Sequence, residues 1–393
     1  MVRNSSNWPS PHVSLVYTPW QLTLVAPALT VLTIWTALGN SLVMVAVFKY
    51  PKLRSMSNAL IANLALSDLL LAVTVMPFTT TLHLTGMWLF GNTFCDIWLS
   101  VDVLWCTASV WNLVVIASDR FTATNFPVWY RHRRKDLWTG IYIVSVWTLA
   151  ILISLPGMVN VDSNKGPSFK LDKKTDTYMC ELFSEKNYVI YSAIGSFILP
   201  FFIMMVLYAK IFAVLSQRGK KLRQKQVAKR SALLMNETGP QETAIDDGTS
   251  DETVTGAQQL LPLQGQSNGN NSKERQKKKR RFLDVKPGYF SKGGKGEHEA
   301  NDQERADRRE RRATKRMAPI IIFFAICWIP FTLFYLIRGS TTNSEMDSDN
   351  HMHLQIFLYW LGYANSALNP VLYAVLNNDF RNAFISILRC TNM

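Results

Sequence analysis

The chain has 393 residues, 48% of them hydrophobic and 12% aromatic, and a formal net charge of +14. Its apolar residues gather in runs long enough to cross a bilayer instead of spreading over two or three soluble domains. The basic residues flank those runs, which argues against nucleic acid as the partner, and five cysteines are too few for a disulfide scaffold. Residues 1–21 form a polar N-terminal segment without an early apolar core and small-residue cleavage site, so the first span is expected to act as its own insertion signal. Seven spans are expected at about 22–48, 57–82, 94–120, 138–158, 188–215, 316–338 and 353–375. No repeat is apparent, which disfavours an inverted-repeat transporter.

Lys and Arg fix the expected orientation. Lys49, Lys52 and Arg54 follow span one; Arg131, Arg133, Arg134 and Lys135 follow span three; Arg218, Lys220, Lys221 and Arg223 follow span five. The loop from Pro77 to Cys95 has neither Lys nor Arg, although Lys165, Lys170, Lys173 and Lys174 weaken the contrast. The N-terminus is therefore expected outside, where the sequon at Asn4 can be glycosylated. Spans one to five occupy residues 22–216 and spans six and seven residues 311–376. Between them, residues 217–310 form a long inner loop with basic ends, which can prolong spans five and six as helix. Its polar middle, "NETGPQETAIDDGTSDETVTGAQQ", is expected to be disordered. Residues 377–393 hold a short amphipathic segment and a tail ending near Cys390.

The stretch "SVDVLWCTAS" carries the main functional signal. Asp102 is the only acidic or basic residue between Ile97 and Ile116, and an unpaired carboxylate in hydrocarbon costs ~3 kcal/mol or more. No Lys or Arg lies inside any outer half-span to pair with it. A cation from outside the chain is the expected partner. Asp68 is a second buried carboxylate. Ser192 and Ser196, four residues apart, are expected to share one face of span five.

The motifs "GNSLV", "LALSD", "SDRF", "FAICWIPF" and "NPVLY", with Trp147, Pro200 and Tyr208, fall in order along the spans. Each is weak alone. Their joint order and spacing, over about 250 residues, resemble the rhodopsin-like (class A) family of G-protein-coupled receptors. Within it, "DVLWCTASVWNL", "YSAIGSFILPF" and "WLGYANSALNPVLY" are similar to biogenic-amine receptors of the dopamine, octopamine/tyramine and adrenergic kinds. The resemblance implies an all-α membrane protein: a seven-transmembrane helix bundle with a short amphipathic helix after the last span.

It also implies roles. Asp102 would bind a protonated amine, with Trp328, Phe331, Trp360 and Tyr363 as an aromatic cage and Tyr363 holding the carboxylate. Ser192 and Ser196 would meet ring hydroxyls, and Val103, Cys106, Thr107 and Thr332 would line the same pocket. Two departures bear on the amine: Ala193 stands where some dopamine receptors have another serine, and Thr332 replaces a second aromatic. Cys95 would bond Cys180. Asp68 would hold an allosteric sodium ion with Ser109, Asn365, Ser366 and Asn369, and no other cofactor is implied. Arg120 would pair with Asp119 and Glu310 at rest, with Phe121 in place of the usual Tyr. Tyr208 and Tyr373 would swing toward Arg120 on activation, about a hinge at Phe324, Trp328 and Pro330. Cys390 would be a lipidation site. The implied partners are a small amine, a heterotrimeric G protein (Gi/o, from the long inner loop and short tail), arrestin, receptor kinases and membrane lipid.

The rival readings differ at single residues. An opsin needs a Lys in span seven, where Tyr363 stands. A muscarinic-type receptor wants an Asn near Thr332; a serotonin receptor stays open. A peptide receptor is disfavoured by Asp102 and the serine pair. A transporter or channel should line several spans with polar residues. No metal-ligand cluster, phosphate loop or nucleophile elbow supports an enzyme.

Overall fold

The structure, a computed structural model, describes residues 17–132, 135–159, 169–172, 177–180, 186–237, 319–338 and 349–389. Asn4, Glu310 and Cys390 lie outside the described residues, as does all of the expected disordered stretch after its first two residues, Asn236 and Glu237. The chain divides into two compact units, Met1–Gly219 with Ala306–Met393, and Lys220–Arg305. In the second unit the described residues, 220–237, are helical, as the basic run "KKLRQKQVAKR" suggested.

Helix α1 (Pro19–Lys49) opens with Gln21 Oε1 accepting the Thr18 backbone N–H at 3.0 Å. A single 3-10 turn, Pro51–Leu53, leads to α2 (Met56–Thr74), whose N-cap Ser55 accepts from the Asn58 N–H. Val75 interrupts this span, and α3 (Met76–Thr85) restarts it with Pro77 in its first turn, where a missing N–H costs nothing. Helix α4 (Asn92–Asn125) stops just before Pro127, which begins the short α5 (Pro127–His132). Helix α6 (Lys135–Val159) follows. Strands β1 (Phe169–Asp172) and β2 (Thr177–Cys180) pair antiparallel, Phe169 opposite Cys180. The fifth span is composite: α7 (Lys186–Ala193), a π turn (Ile194–Ile198) and α8 (Leu199–Glu237). Helices α9 (Pro319–Arg338), α10 (Asp349–Leu376) and the amphipathic α11 (Asn378–Leu388) complete the described chain.

Six of the expected spans are long and apolar enough to cross a membrane on those grounds alone. The seventh, α10, has the length but not the apolarity, because Asn365, Ser366 and Asn369 are buried on it and lower its mean hydropathy. The outward residues are apolar, as a bilayer solvent requires: Leu24 and Val31 on α1, Val144 on α6, Phe202 on α8, Ile322 on α9.

Helix α4 is the most enclosed and packs on α2 and α6; α1 packs on α2 and α10. Polar side chains stitch these contacts, since every buried donor needs an acceptor in hydrocarbon. Asn63 donates to Asn112 Oδ1 at 2.7 Å and its Oδ1 accepts the Trp147 indole at 3.1 Å, joining α2, α4 and α6. Asn40 donates to the Ser366 carbonyl at 3.1 Å, four residues before Pro370. That carbonyl has no helical donor, because proline lacks an N–H. The two helices meet so closely that a Cβ on Gly39 would lie 2.9 Å from Pro370 Cγ.

Candidate ligand-binding site

A cavity with about 440 Å³ of empty space, its open mouth included, lies between α4, α7 with its π turn, α9 and α10. Asp102, Val103 and Cys106 face it from α4, Cys106 one helical turn beyond the adjacent pair. Asp102 is 5% exposed. Its Oδ1 accepts the Tyr363 hydroxyl at 3.1 Å and the Cys106 thiol at 3.4 Å. Both donors are neutral, both bonds fall on one oxygen, and among the described residues Oδ2 receives none. The buried carboxylate thus has hydrogen-bond support but, among the described residues, no counter-charge.

Aromatic rings build the opposite wall. Trp328 stacks on Phe197 with centroids 4.5 Å apart and meets Phe331 edge to face at 5.8 Å. Phe331 stacks on Tyr335 at 5.9 Å and meets the edge of Tyr359 at 5.1 Å. Gly362 makes room for this: a Cβ there would lie 3.1 Å from the Trp328 ring. Ser192 and Ser196 line the cavity as expected, but with different partners. Ser192 pairs with Tyr335 Oη at 3.2 Å, and Ser196 with Thr107 Oγ1 at 2.7 Å.

Three expected lining residues stand behind the wall. Thr107 is turned to Ser196. Thr332 Oγ1 donates to its own helix, at the Trp328 carbonyl, 2.8 Å away. Trp360 donates its indole N–H to His83 Nδ1 at 3.0 Å and backs onto Tyr363. In their place Phe197, Tyr335 and Tyr359 line the cavity. The spacing Phe331–Tyr335, one helical turn, was the sequence signal available for one of them.

The π turn shapes the serine side. Pro200 removes a helical donor, and the Gly195 carbonyl in the turn accepts the Trp111 indole at 3.1 Å instead. Above the cavity, Cys95 and Cys180 are disulfide-bonded with Cα atoms 5.8 Å apart. Trp88 N–H donates to the Tyr178 carbonyl at 2.7 Å, so the hairpin is held at this end of the bundle.

Further along α4, Asp68 from α2 is fully buried. Its Oδ1 accepts Ser109 at 2.7 Å and Ser366 at 2.8 Å, and its Oδ2 accepts Asn369 at 2.7 Å. Asn365, next to Ser366 in sequence, is buried, with its Nδ2 lacking a partner among the described residues. At the far end, Asp119 accepts Ser57 at 2.7 Å and Tyr130 at 3.1 Å. The expected partner Arg120 has a buried Nε without a hydrogen bond among the described residues. Phe324, Tyr208 and Tyr373 are buried along α9, α8 and α10, with Pro330 six residues beyond Phe324 toward the cavity.

A bundle of apolar helices with a charged, aromatic-walled cavity under a disulfide-tethered hairpin is the architecture of a membrane receptor for a small ligand. A family model described as "7 transmembrane receptor (rhodopsin family)" matches residues 39–373. Octopamine receptor 2 of Lymnaea stagnalis is 31% identical, over 92% of this chain and 82% of its own length. The 5-hydroxytryptamine receptor 1B of Mus musculus is 33% identical, over 94% and 88%, and the alpha-2A adrenergic receptor of Danio rerio 33%, over 98% and 96%. The chain belongs to the rhodopsin family of seven-transmembrane G-protein-coupled receptors, alongside its biogenic-amine members, and is a multi-pass plasma-membrane receptor, not an enzyme.

Proposed function

We propose that this receptor, with its N-terminus outside, binds a protonated biogenic amine at Asp102 and signals through a heterotrimeric G protein of the Gi/o class. Dopamine, octopamine and tyramine are the favoured ligands. The observation that carries the proposal is the state of Asp102: buried, on a cavity, and, among the described residues, hydrogen-bonded by neutral donors alone. An ammonium group supplies the missing charge, and the faces of Trp328, Phe331 and Tyr359 take up the cation's apolar surround. An amine that binds the active arrangement better than the resting one shifts the population toward it. A G protein bound at the Arg120 end then tightens amine binding by the same factor.

The Asp68 cluster suits a sodium ion: a carboxylate, two hydroxyls and an amide converge there, hard oxygens that a hard cation accepts. Asp68, Ser109, Ser366, Asn365 and Asn369 would hold it, supplying charge compensation to Asp68 in one arrangement of the bundle. The Gi/o preference draws on the long inner loop and short tail. A serotonin reading draws on the likeness to the mouse 5-hydroxytryptamine receptor.

A panel of dopamine, octopamine, tyramine, serotonin, noradrenaline and acetylcholine, read as G-protein nucleotide exchange in membranes, tests the reading. Silence toward every amine, with the receptor at the cell surface, defeats it. A cyclic-AMP rise insensitive to pertussis toxin defeats the Gi/o assignment alone.

A further inference from the structure

Behind Asp102 the cavity is shut. Residues of α4, α7 with its π turn, α9 and α10 line it, and among the described residues none from α1, α2 or α3 does. Four side chains stand between it and α3, and their contacts form a closed circuit. Tyr363, bonded to Asp102, meets the buried Trp360 edge to face at 5.6 Å. Trp360 donates its indole N–H to His83 of α3 at 3.0 Å, and His83 meets the edge of Tyr359 at 5.7 Å. Tyr359 returns to Tyr363 at 6.4 Å. On its cavity side Tyr359 also meets Phe331 at 5.1 Å. One turn further out, Arg338 Nη1 donates to Gln355 Oε1, which joins α9 to α10 beyond Tyr359.

An ammonium on Asp102 and a ring among Phe197, Trp328 and Phe331 fix the direction of a small amine. A carbon added to its nitrogen continues the chain away from the ring, into Tyr359 and Tyr363. A secondary ammonium keeps its charge and two N–H groups, so the bond to Asp102 is not what it loses. It loses room: packed rings accept extra carbons only by giving up contacts. One contact of this circuit is a hydrogen bond, and opening it strands the Trp360 N–H.

We propose that Tyr359, held in place by His83 and Trp360, is a specificity-determining residue that limits the site to a primary ammonium, so that the ligand is an arylethylamine without an N-alkyl group. This rests on the amine reading of Asp102 and narrows it.

Tyramine, dopamine and serotonin, each compared with its N-methyl and N-propyl forms in G-protein nucleotide exchange, test the wall on three rings. On the most potent scaffold, potency should fall by at least about tenfold from the parent to the N-propyl form, the scale on which a filled pocket rejects added carbons, with N-methyl between them. Tyr359→Ala should shrink that loss by at least threefold. Ser196→Ala, on the fifth span, should leave it as in the wild type. These are ratios within one protein, so they do not depend on expression level; His83→Ala, which frees the Tyr359 ring, serves if Tyr359→Ala fails to reach the surface. A wild-type loss below tenfold, or a loss that the Tyr359 and His83 variants leave unreduced, overturns the proposal. If Asp102→Asn still weakens the parent amine in that case, the amine reading stands without it; silence toward every amine overturns both.

Discussion

The Tyr363 hydroxyl donates to Oδ1 of Asp102 over 3.1 Å, tying α10 to α4 at the cavity wall. The bond fixes the carboxylate without neutralising it, so the charge stays available to a ligand. Asp102→Asn keeps the shape and the acceptor but removes the charge. Amine potency should fall by ~100-fold, the scale of a charge-assisted hydrogen bond, with surface expression retained. Tyr363→Phe should cost less, about tenfold, because the charge survives and only its orientation loosens. Concentration–response curves for both variants, normalised to surface receptor, check this; equal potency in Asp102→Asn and wild type would contradict it.

A histidine one layer back supports the same wall. His83 on α3 accepts the Trp360 indole N–H at 3.0 Å and meets the edge of Tyr359 at 5.7 Å, while Trp360 meets Tyr363 edge to face at 5.6 Å. His83 touches no cavity space and acts through the two tyrosines. His83→Phe keeps the bulk but strands the indole donor, an unmade bond of ~1–3 kcal/mol. Amine affinity should fall about three- to tenfold, and His83→Gln, which restores an acceptor, should recover part of it. Saturation binding on both variants separates this from a mere loss of folded receptor.

Charge made part of the site readable from sequence, and its absence hid the rest. Asp102 and Asp68 stood out because a carboxylate in an apolar run has a large cost that something must offset. Phe197, Tyr335 and Tyr359 carry no such signal, since an aromatic in a membrane helix is equally at home facing lipid, neighbour or ligand. The π turn at Ile194–Ile198 adds a second reason. It changes the winding between Ser192 and Ser196; both still line the cavity, but the four-residue spacing does not foretell their partners. One serine goes to Tyr335 and the other to Thr107. Helix α10 lies where the seventh span is expected, although its buried Asn and Ser side chains dilute the apolar pattern.

The Asp68 cluster leads to a salt-specific expectation. Three donors converge on its two oxygens at 2.7–2.8 Å, and a cation held there would favour one arrangement of α2, α4 and α10 over another. Raising sodium chloride in place of an organic cation chloride should lower agonist affinity about three- to tenfold in the wild type. Asp68→Asn should abolish the difference between the two salts while still binding the amine at Asp102. Competition binding in the two media reads the effect; sodium dependence persisting in Asp68→Asn would place the ion elsewhere.

At the other end of the bundle, Asp119 is held by two hydroxyls from different elements, Ser57 of α2 at 2.7 Å and Tyr130 of α5 at 3.1 Å. These bonds keep the end of α4 against α2 and α5; on the proposed function, this arrangement belongs to the resting state and loosens when a G protein binds at the Arg120 end. Tyr130→Phe removes one bond and little volume, so the resting state loses more than the active one. Basal nucleotide exchange should rise, by about threefold for a net bond of under 1 kcal/mol, and Ser57→Ala should act in the same direction. Burial, with the Asp119 charge beside it, raises the phenol of Tyr130 above its ordinary 10. A raised value means the native state holds the proton more tightly. The contribution is therefore complete below pH ~10 and is lost only as pH climbs through the raised value. The ratio of basal exchange in Tyr130→Phe to that in wild type should accordingly be flat from about pH 6.5 to 8.5. A ratio that falls to one within that window would mean that Tyr130 had stopped donating in the wild type, and that the bond to Asp119 does not hold the resting state.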